Sequence, residues 1–147
     1  MNNSKGFTLV ELMAVVAIVS VLATVALSAY TDYVIRSKVS EGMSFMAEAK
    51  TSVSEYYYTN KLLPTSNKQA GLPTIEDYNK HDFIRRLELT TATPGVITIT
   101  FKLPGTSSDG KQLQMTPLTR DGLISWTCLP PEENGISRNR VPPNCRG

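Results

Sequence analysis

Two patterns of apolar spacing divide the first 58 residues. No residue from Leu12 to Thr31 is charged, and a helix of that length, rising about 1.5 Å per residue, matches a bilayer's hydrocarbon core of about 30 Å. Apolar side chains then recur at steps of three and four between residues 39 and 57, with charged residues between them. Because no proline interrupts either segment, we predict one continuous helix over residues 7–58, ending near Asn60.

After a connecting segment from Lys61 to Asp82, the spacing changes to the two-residue alternation of half-buried strands. Residues 97–103, 112–116 and 124–128 show it clearly, and residues 83–89 show it weakly. Turn signals at Pro94-Gly95, Pro104-Gly105, Asp109-Gly110 and Asp121-Gly122 predict an antiparallel meander. The amphipathic half of the helix is available to cover its apolar face, so the predicted fold class is α+β.

A carboxylate, Glu11, lies at the start of the apolar segment. A charged side chain at the bilayer centre costs roughly 2.5–3.5 kcal/mol, so this one requires compensation. The preceding residues, MNNSKG, put the small residue Gly6 before the apolar run, whereas an ordinary secretory signal has its small residues after it. Cleavage after Gly6 leaves a mature chain beginning at Phe7; the alternative is an uncleaved signal anchor with Lys5 as its positive flank.

The stretch Gly6-Phe7-Thr8-Leu9-Val10-Glu11, followed by the apolar run, resembles the type III signal of type IV pilins. The resemblance implies a leader over residues 1–6, removed by a prepilin peptidase that then N-methylates Phe7. It also implies that residues 7–31 form a transmembrane and assembly segment. ISWTC at 124–128 and RVPPNCR at 140–146 are similar to the final strand and disulfide-bounded D-region of type IVa pilins.

For Glu11, the resemblance implies an ion pair with the Phe7 ammonium of a neighbouring subunit, which neutralises two costly charges. An intrachain pair is the alternative, because Phe7 and Glu11 stand four residues apart on one helix face. Ser20 and Ser28 stand where many relatives carry Gly and Pro. Since serine weakens a helix less than either residue, we expect a more continuous helix there in the filament.

Cys128 and Cys145 are the only cysteines, and the sixteen residues between them include four prolines. We predict a polar surface loop closed by a disulfide, which places residues 59–147 in an oxidising compartment. A metal site is the competing interpretation. The chain has a single histidine, His81, and no C-x-x-C spacing, which disfavours metal binding.

No catalytic constellation is present in the sequence, so we predict no enzyme activity, no cofactor and no metal. The formal net charge is only +2, without a dense basic block. Three arginines near the end of the chain, Arg138, Arg140 and Arg146, are candidates for contact with DNA phosphates or an acidic surface. A solvated face is the simpler interpretation of these arginines, and His81 is expected in a surface loop.

The resemblance therefore implies a structural subunit of a type IV pilus, a helical homopolymer whose precursor resides in the inner membrane and whose filament is extracellular. It further implies an assembly machinery and roles in adhesion, twitching motility or DNA uptake. A minor pilin and a type II secretion pseudopilin are alternatives within the same superfamily. A membrane-anchored binding domain or enzyme is the alternative from another class, and it predicts a ligand pocket and no filaments.

Overall fold

The computed structural model describes residues 6–147, and the chain divides into two compact units at the boundary between Val34 and Ile35. The elements are helix α1 (Leu9–Asn60), helix α2 (Ile75–Asn79), and strands β1 (Ile84–Thr90), β2 (Thr93–Phe101), β3 (Gln112–Arg120) and β4 (Leu123–Leu129). Two short 3-10 helices, Arg138–Arg140 and Pro143–Cys145, follow. The long helix thus begins two residues later and ends two residues beyond the predicted limits, with Asn60 as its last residue.

The first unit, in its described residues 6–34, is helical from Leu9 onward, and its long apolar side chains up to Leu27 are exposed. An 18-residue window of α1 has a mean hydropathy of 2.5 and is 0% buried. By length and composition the helix is able to cross a membrane. The hydroxyl groups of Ser20 and Thr24 are compatible with an apolar environment, because each donates a hydrogen bond to the backbone carbonyl four residues earlier, at 2.7 Å and 2.9 Å.

In the second unit, the residues of α1 that face the sheet follow alternating steps of four and three. The buried positions are Ile35, Val39, Gly42, Met46, Ala49 and Val53. Gly42 marks the tightest approach, since a Cβ atom there would lie 2.7 Å from the ring of Phe101 on β2. This confirms that the amphipathic part of the helix covers the sheet.

The sheet is antiparallel with strand order β1-β2-β3-β4, as predicted for a meander. Ile97 and Ile99 of β2 pair with Met115 and Leu113 of β3, and these side chains are buried in one core. The β3–β4 turn is the predicted Asp121-Gly122, both residues having positive φ, 52° and 78°, as a two-residue hairpin requires. The α+β fold class is confirmed.

The expected turn at Pro94-Gly95 is wrong. These residues lie inside β2, and the chain reverses at residues 91–92. Gly95 has a φ of 74° at an irregularity in the pairing, where Thr90 pairs with Thr93 but Leu89 pairs with Ile97. A glycine with positive φ occurs in β-bulges as well as in turns, so the Pro94-Gly95 dipeptide alone does not determine where the chain reverses.

The connection from Lys61 to Asp82 contains a feature that the sequence analysis missed. The side-chain amide of Asn67 bonds to the outer edge of β1: its Oδ1 accepts from the Leu89 N–H at 2.8 Å, and its Nδ2 donates to the Leu87 carbonyl at 2.8 Å. The same Nδ2 donates to the Pro73 carbonyl at 3.0 Å. One side chain thus satisfies backbone groups that an edge strand otherwise leaves to solvent.

The same connection also forms the short helix α2, begun by a capping box. Thr74 and Asp77 exchange side-chain and backbone hydrogen bonds, and Lys80 Nζ donates to Asp77 Oδ1 at 2.7 Å. The hydrogen bond from Lys80, with that from Thr74, lowers the pKa of Asp77 from 3.8 to about 2. Tyr78, on the inner side of α2, joins the hydrophobic core.

The segment between the cysteines was expected to be too polar and too rich in proline to contribute to the core, and that expectation is wrong. Ile136 and Val141 are each only 2% exposed and belong to the core cluster. The Gln112 N–H donates to the Asn134 carbonyl, and the Ile136 N–H donates to the Gln112 carbonyl. The start of β3 therefore holds this segment against the sheet.

Candidate functional site

The N-terminal end of α1 carries the residues proposed for processing and assembly. Gly6, Phe7 and Thr8 precede the helix in non-helical conformation, and all three are exposed. A Cβ atom built on Gly6 would meet nothing within 4 Å. The predicted leader residues 1–5 lie outside the described residues.

Glu11 forms a capping box with Thr8. The backbone N–H and the hydroxyl of Thr8 both donate to Glu11 Oε2, at 2.9 Å and 2.7 Å, and the Glu11 N–H donates to Thr8 Oγ1 at 3.3 Å. This exchange satisfies N–H groups that a helix start leaves without partners. The carboxylate also lies where the helix dipole favours negative charge.

The capping box adds a third role for Glu11 to the two inferred from the sequence. In the 147-residue chain Phe7 is an internal residue without a free amine, so neither predicted pair with a Phe7 ammonium is formed in it. The capping box could have been predicted from the sequence, because a threonine followed three residues later by glutamate before an apolar run is typical of a helix start. The intersubunit pair stays a prediction.

The second candidate region is the disulfide-closed segment at the end of the chain. Cys128 on β4 and Cys145 in the last 3-10 helix form the predicted disulfide. Cys145 is fully buried, and its Sγ lies 3.9 Å from the sulfur of Met43 on α1. The disulfide thus joins the last strand to the helix-facing core.

The three arginines of this segment have different surroundings. Arg140 Nη1 donates to the hydroxyls of Ser107 and Ser108, at 2.8 Å and 2.7 Å, which ties the segment to the β2–β3 connection. Arg146 Nε donates to the Val141 carbonyl at 3.0 Å. Arg138 is exposed. Of the three, Arg140 therefore has a clear structural role.

His81 is exposed after α2, as expected, with its ring 4.7 Å from that of Phe45. Within residues 6–147, no group of three or more His, Cys, Asp or Glu side chains is arranged to hold a metal ion.

Comparison with known families decides the classification. Residues 35–146 match the family described as pilin (bacterial filament), and residues 1–27 match the prokaryotic N-terminal methylation motif. The chain belongs to the pilin family. The first match coincides with the second compact unit, and the second contains Gly6, Phe7 and Glu11.

Curated pilins resemble this chain over most of its length. It is 37% identical over 145 residues to the fimbrial protein EcpC of Eikenella corrodens, covering 97% of this chain and 90% of that protein. It is also 37% identical over 129 residues to the type IV major pilin protein PilE1 of Neisseria gonorrhoeae, covering 86% of this chain and 76% of PilE1. A fimbrial protein of Moraxella nonliquefaciens is 37% identical over 137 residues, which cover 93% of this chain and 72% of the relative.

Pilins are structural filament proteins, so this pilin is a subunit that polymerises rather than an enzyme. Its exposed apolar helix is consistent with that role, because an apolar surface of this length needs either lipid or other copies of the same helix around it.

Proposed function

We propose that this pilin is the major subunit of a type IV pilus. The observation that carries the proposal is the 37% identity over 129 residues to a protein named as a type IV major pilin. The exposed apolar helix, the sheet and the disulfide-closed segment are all parts that such a subunit uses. A minor pilin shares these features, so the abundance of the chain in purified filaments distinguishes the two.

Maturation begins, in this proposal, with cleavage after Gly6 and N-methylation of Phe7 by a prepilin peptidase. Support comes from the match to the N-terminal methylation motif over residues 1–27. It also comes from the exposed, non-helical conformation of Gly6 and Phe7, since a protease needs access to an extended backbone. The precursor resides in the inner membrane through the uncharged run from Leu12 to Thr31.

Glu11 acts in two stages. In the membrane-inserted subunit, Thr8 holds the carboxylate by two donated hydrogen bonds, which offset part of the cost of placing a charge at the edge of the bilayer. In the filament, the ammonium of Phe7 from a neighbouring subunit becomes a second partner and neutralises the charge. The Glu11 carboxylate is therefore needed for assembly of the subunit into the filament rather than for insertion of the helix into the membrane.

Two substitutions at Glu11 separate these stages. Glu11→Leu makes the helix more apolar, so insertion into the membrane is expected to persist or improve, while filaments fail to form. Glu11→Gln keeps an oxygen that accepts from Thr8 but removes the charge. We expect Glu11→Gln to insert normally and to lose filaments as well, because the neighbouring ammonium finds no anion.

The measurement is the yield of filaments sheared from cells, together with the amount of subunit in the membrane fraction. Val10→Leu, an apolar exchange at the adjacent exposed position, serves as the matched control and is expected to assemble normally. Normal filament yield from Glu11→Gln contradicts the ion pair and leaves only the capping role.

The surface roles of the filament extend this proposal. Adhesion, twitching motility and DNA uptake each need a repeated exposed surface, and weak contacts made by every subunit add through multivalency. Arg138 is the best arginine for such contacts, because Arg140 is bonded to two serines and Arg146 to the backbone. If DNA phosphates are the target, binding falls with rising salt in wild type and less steeply in Arg138→Gln.

A further inference from the structure

The dipeptide Asn134-Gly135, within the disulfide-closed segment, occupies a position that few residue types can fill. Asn134 is exposed and has a φ of 57°, in the left-handed region where glycine and asparagine are favoured. Gly135 has no room for a side chain, because a Cβ atom there would overlap the carbonyl oxygen of Pro131. The fold therefore requires glycine at position 135 and favours asparagine or glycine at position 134.

Gln112 at the start of β3 holds the backbone on both sides of this dipeptide. Its N–H donates to the Asn134 carbonyl at 2.8 Å, and its carbonyl accepts from the Ile136 N–H at 2.9 Å. Gly135 is the residue bridged to Gln112 in this parallel pairing, so its own N–H points away from β3. Among residues 6–147, the Gly135 N–H donates to no backbone carbonyl.

An asparagine followed by glycine can close a ring with the backbone. The Gly135 nitrogen attacks Asn134 Cγ, a new C–N bond forms, and the side-chain amide leaves as ammonia with the proton of the Gly135 nitrogen. Water then opens the resulting succinimide at either of its carbonyls, which gives aspartate or isoaspartate. A side chain on the following residue hinders the attack, and Asn134 is the only asparagine in the chain that precedes a glycine.

We propose that Asn134 is a site of spontaneous conversion to isoaspartate, and that this conversion releases the disulfide-closed segment from β3. In isoaspartate the main chain runs through the former side-chain carbonyl and is longer by one carbon. The carbonyl that accepts from Gln112 becomes part of a free carboxylate, so the spacing that lets Gln112 bond on both sides of Gly135 is lost. Ile136, which is 2% exposed in the core, then loses the contact that holds its backbone in place.

Ageing of the detergent-solubilised full chain in mildly alkaline buffer tests the proposal. Peptide mapping by mass spectrometry follows the loss of each side-chain amide, and an isoaspartate methyltransferase with labelled S-adenosylmethionine detects the product. We expect Asn134 to lose its amide while Asn139, which is exposed in the same segment but precedes Arg140, keeps its own. In the aged chain, the amides of Gln112 and Ile136 are expected to lose their protection from hydrogen exchange.

Asn134→Gly is the matched variant, because glycine accepts the positive φ and has no carboxamide to react. It is expected to abolish the methyl label entirely and to keep the Gln112 and Ile136 amides protected throughout ageing. A label that persists in this variant comes from another residue and contradicts the assignment.

Three further results overturn the proposal. Equal loss of amide at Asn134 and Asn139 shows that the following glycine has no special effect. An Asn134 that stays intact in the native chain, while the reduced chain in denaturant converts, shows that the bonds to Gln112 prevent the reaction in the folded protein. Conversion that leaves the Gln112 and Ile136 amides protected contradicts the release of the segment.

Discussion

Replacing Asn67 with alanine tests how the connection before the sheet stabilises the sheet's edge. The substitution removes three hydrogen bonds, those to the Leu89 N–H and to the carbonyls of Leu87 and Pro73. At about 1 kcal/mol net for each bond, the expected loss is about 3 kcal/mol. That is a large part of the roughly 5–15 kcal/mol typical of a domain, and at roughly 4 °C per kcal/mol it lowers the midpoint of thermal unfolding by about 12 °C.

The assay is thermal unfolding of the detergent-solubilised chain, followed by fluorescence of Trp126, the single tryptophan. This ring reports the packing of the sheet on α1, because its Nε1 donates to Ser54 Oγ at 3.3 Å. Asn139→Ala is the control, since Asn139 is exposed. A midpoint for Asn67→Ala within about 2 °C of this control, equivalent to about 0.5 kcal/mol, refutes the role assigned to Asn67.

Asn67→Asp adds a second arm to the same experiment. The aspartate keeps an oxygen that accepts from the Leu89 N–H, but it presents its other oxygen to two carbonyl groups. At neutral pH it is expected to be at least as destabilising as Asn67→Ala. Protonation in acid restores one donor, so the Asn67→Asp variant is expected to gain stability relative to the Asn67→Ala variant as pH falls.

Three further predictions concern packing, the disulfide and pH. Gly42→Val is expected to destabilise the unit by about 1–3 kcal/mol through overpacking against Phe101, measured by the same thermal assay. Replacing Cys128 and Cys145 with serine removes a cross-link worth about 3 kcal/mol, which is expected to lower filament yield and loosen β4 in hydrogen exchange. Because the pKa of Asp77 is lowered from 3.8 to about 2, its stabilisation of α2 is present above pH 3.8 and is lost as pH falls toward 2. NMR shifts of the α2 amides report this loss, and amides that do not change between about pH 4 and about pH 2 contradict it.

The elements that sequence predicted well are those whose periodicity extends over several turns or residues. The uncharged run and the three- and four-residue spacing around Val39, Met46 and Val53 specify a helix almost independently of context. The alternation around Ile97 and Ile99 specifies a buried strand in the same way. The disulfide followed from a count of two cysteines, because no other pairing within the chain was available.

The features that sequence reasoning missed depend on contacts between residues far apart in the chain. Asn67 is one polar residue in an irregular connection, and only the folded position of β1, twenty residues later, gives its side chain a role. Ile136 and Val141 lie in a polar segment, and their burial depends on the start of β3 holding that segment.

The capping box is a different kind of omission, since its signal is local. In the sequence, Thr8 and Glu11 are part of the processing motif, and both roles predicted for the acidic side chain involved a Phe7 ammonium, either of a neighbouring subunit or of the same chain. The short spacing of the two residues was sufficient to predict the hydrogen bonds that the structure contains.

The central claim is that this pilin is processed between Gly6 and Phe7 and assembles through its new N-terminus. The most direct test is the intact mass of the subunit in filaments sheared from the cell surface, with the N-terminal peptide sequenced. The account predicts a chain that begins with N-methylated Phe7 and contains the Cys128–Cys145 disulfide. A filament subunit that retains residues 1–6, or that begins after the apolar run, contradicts it.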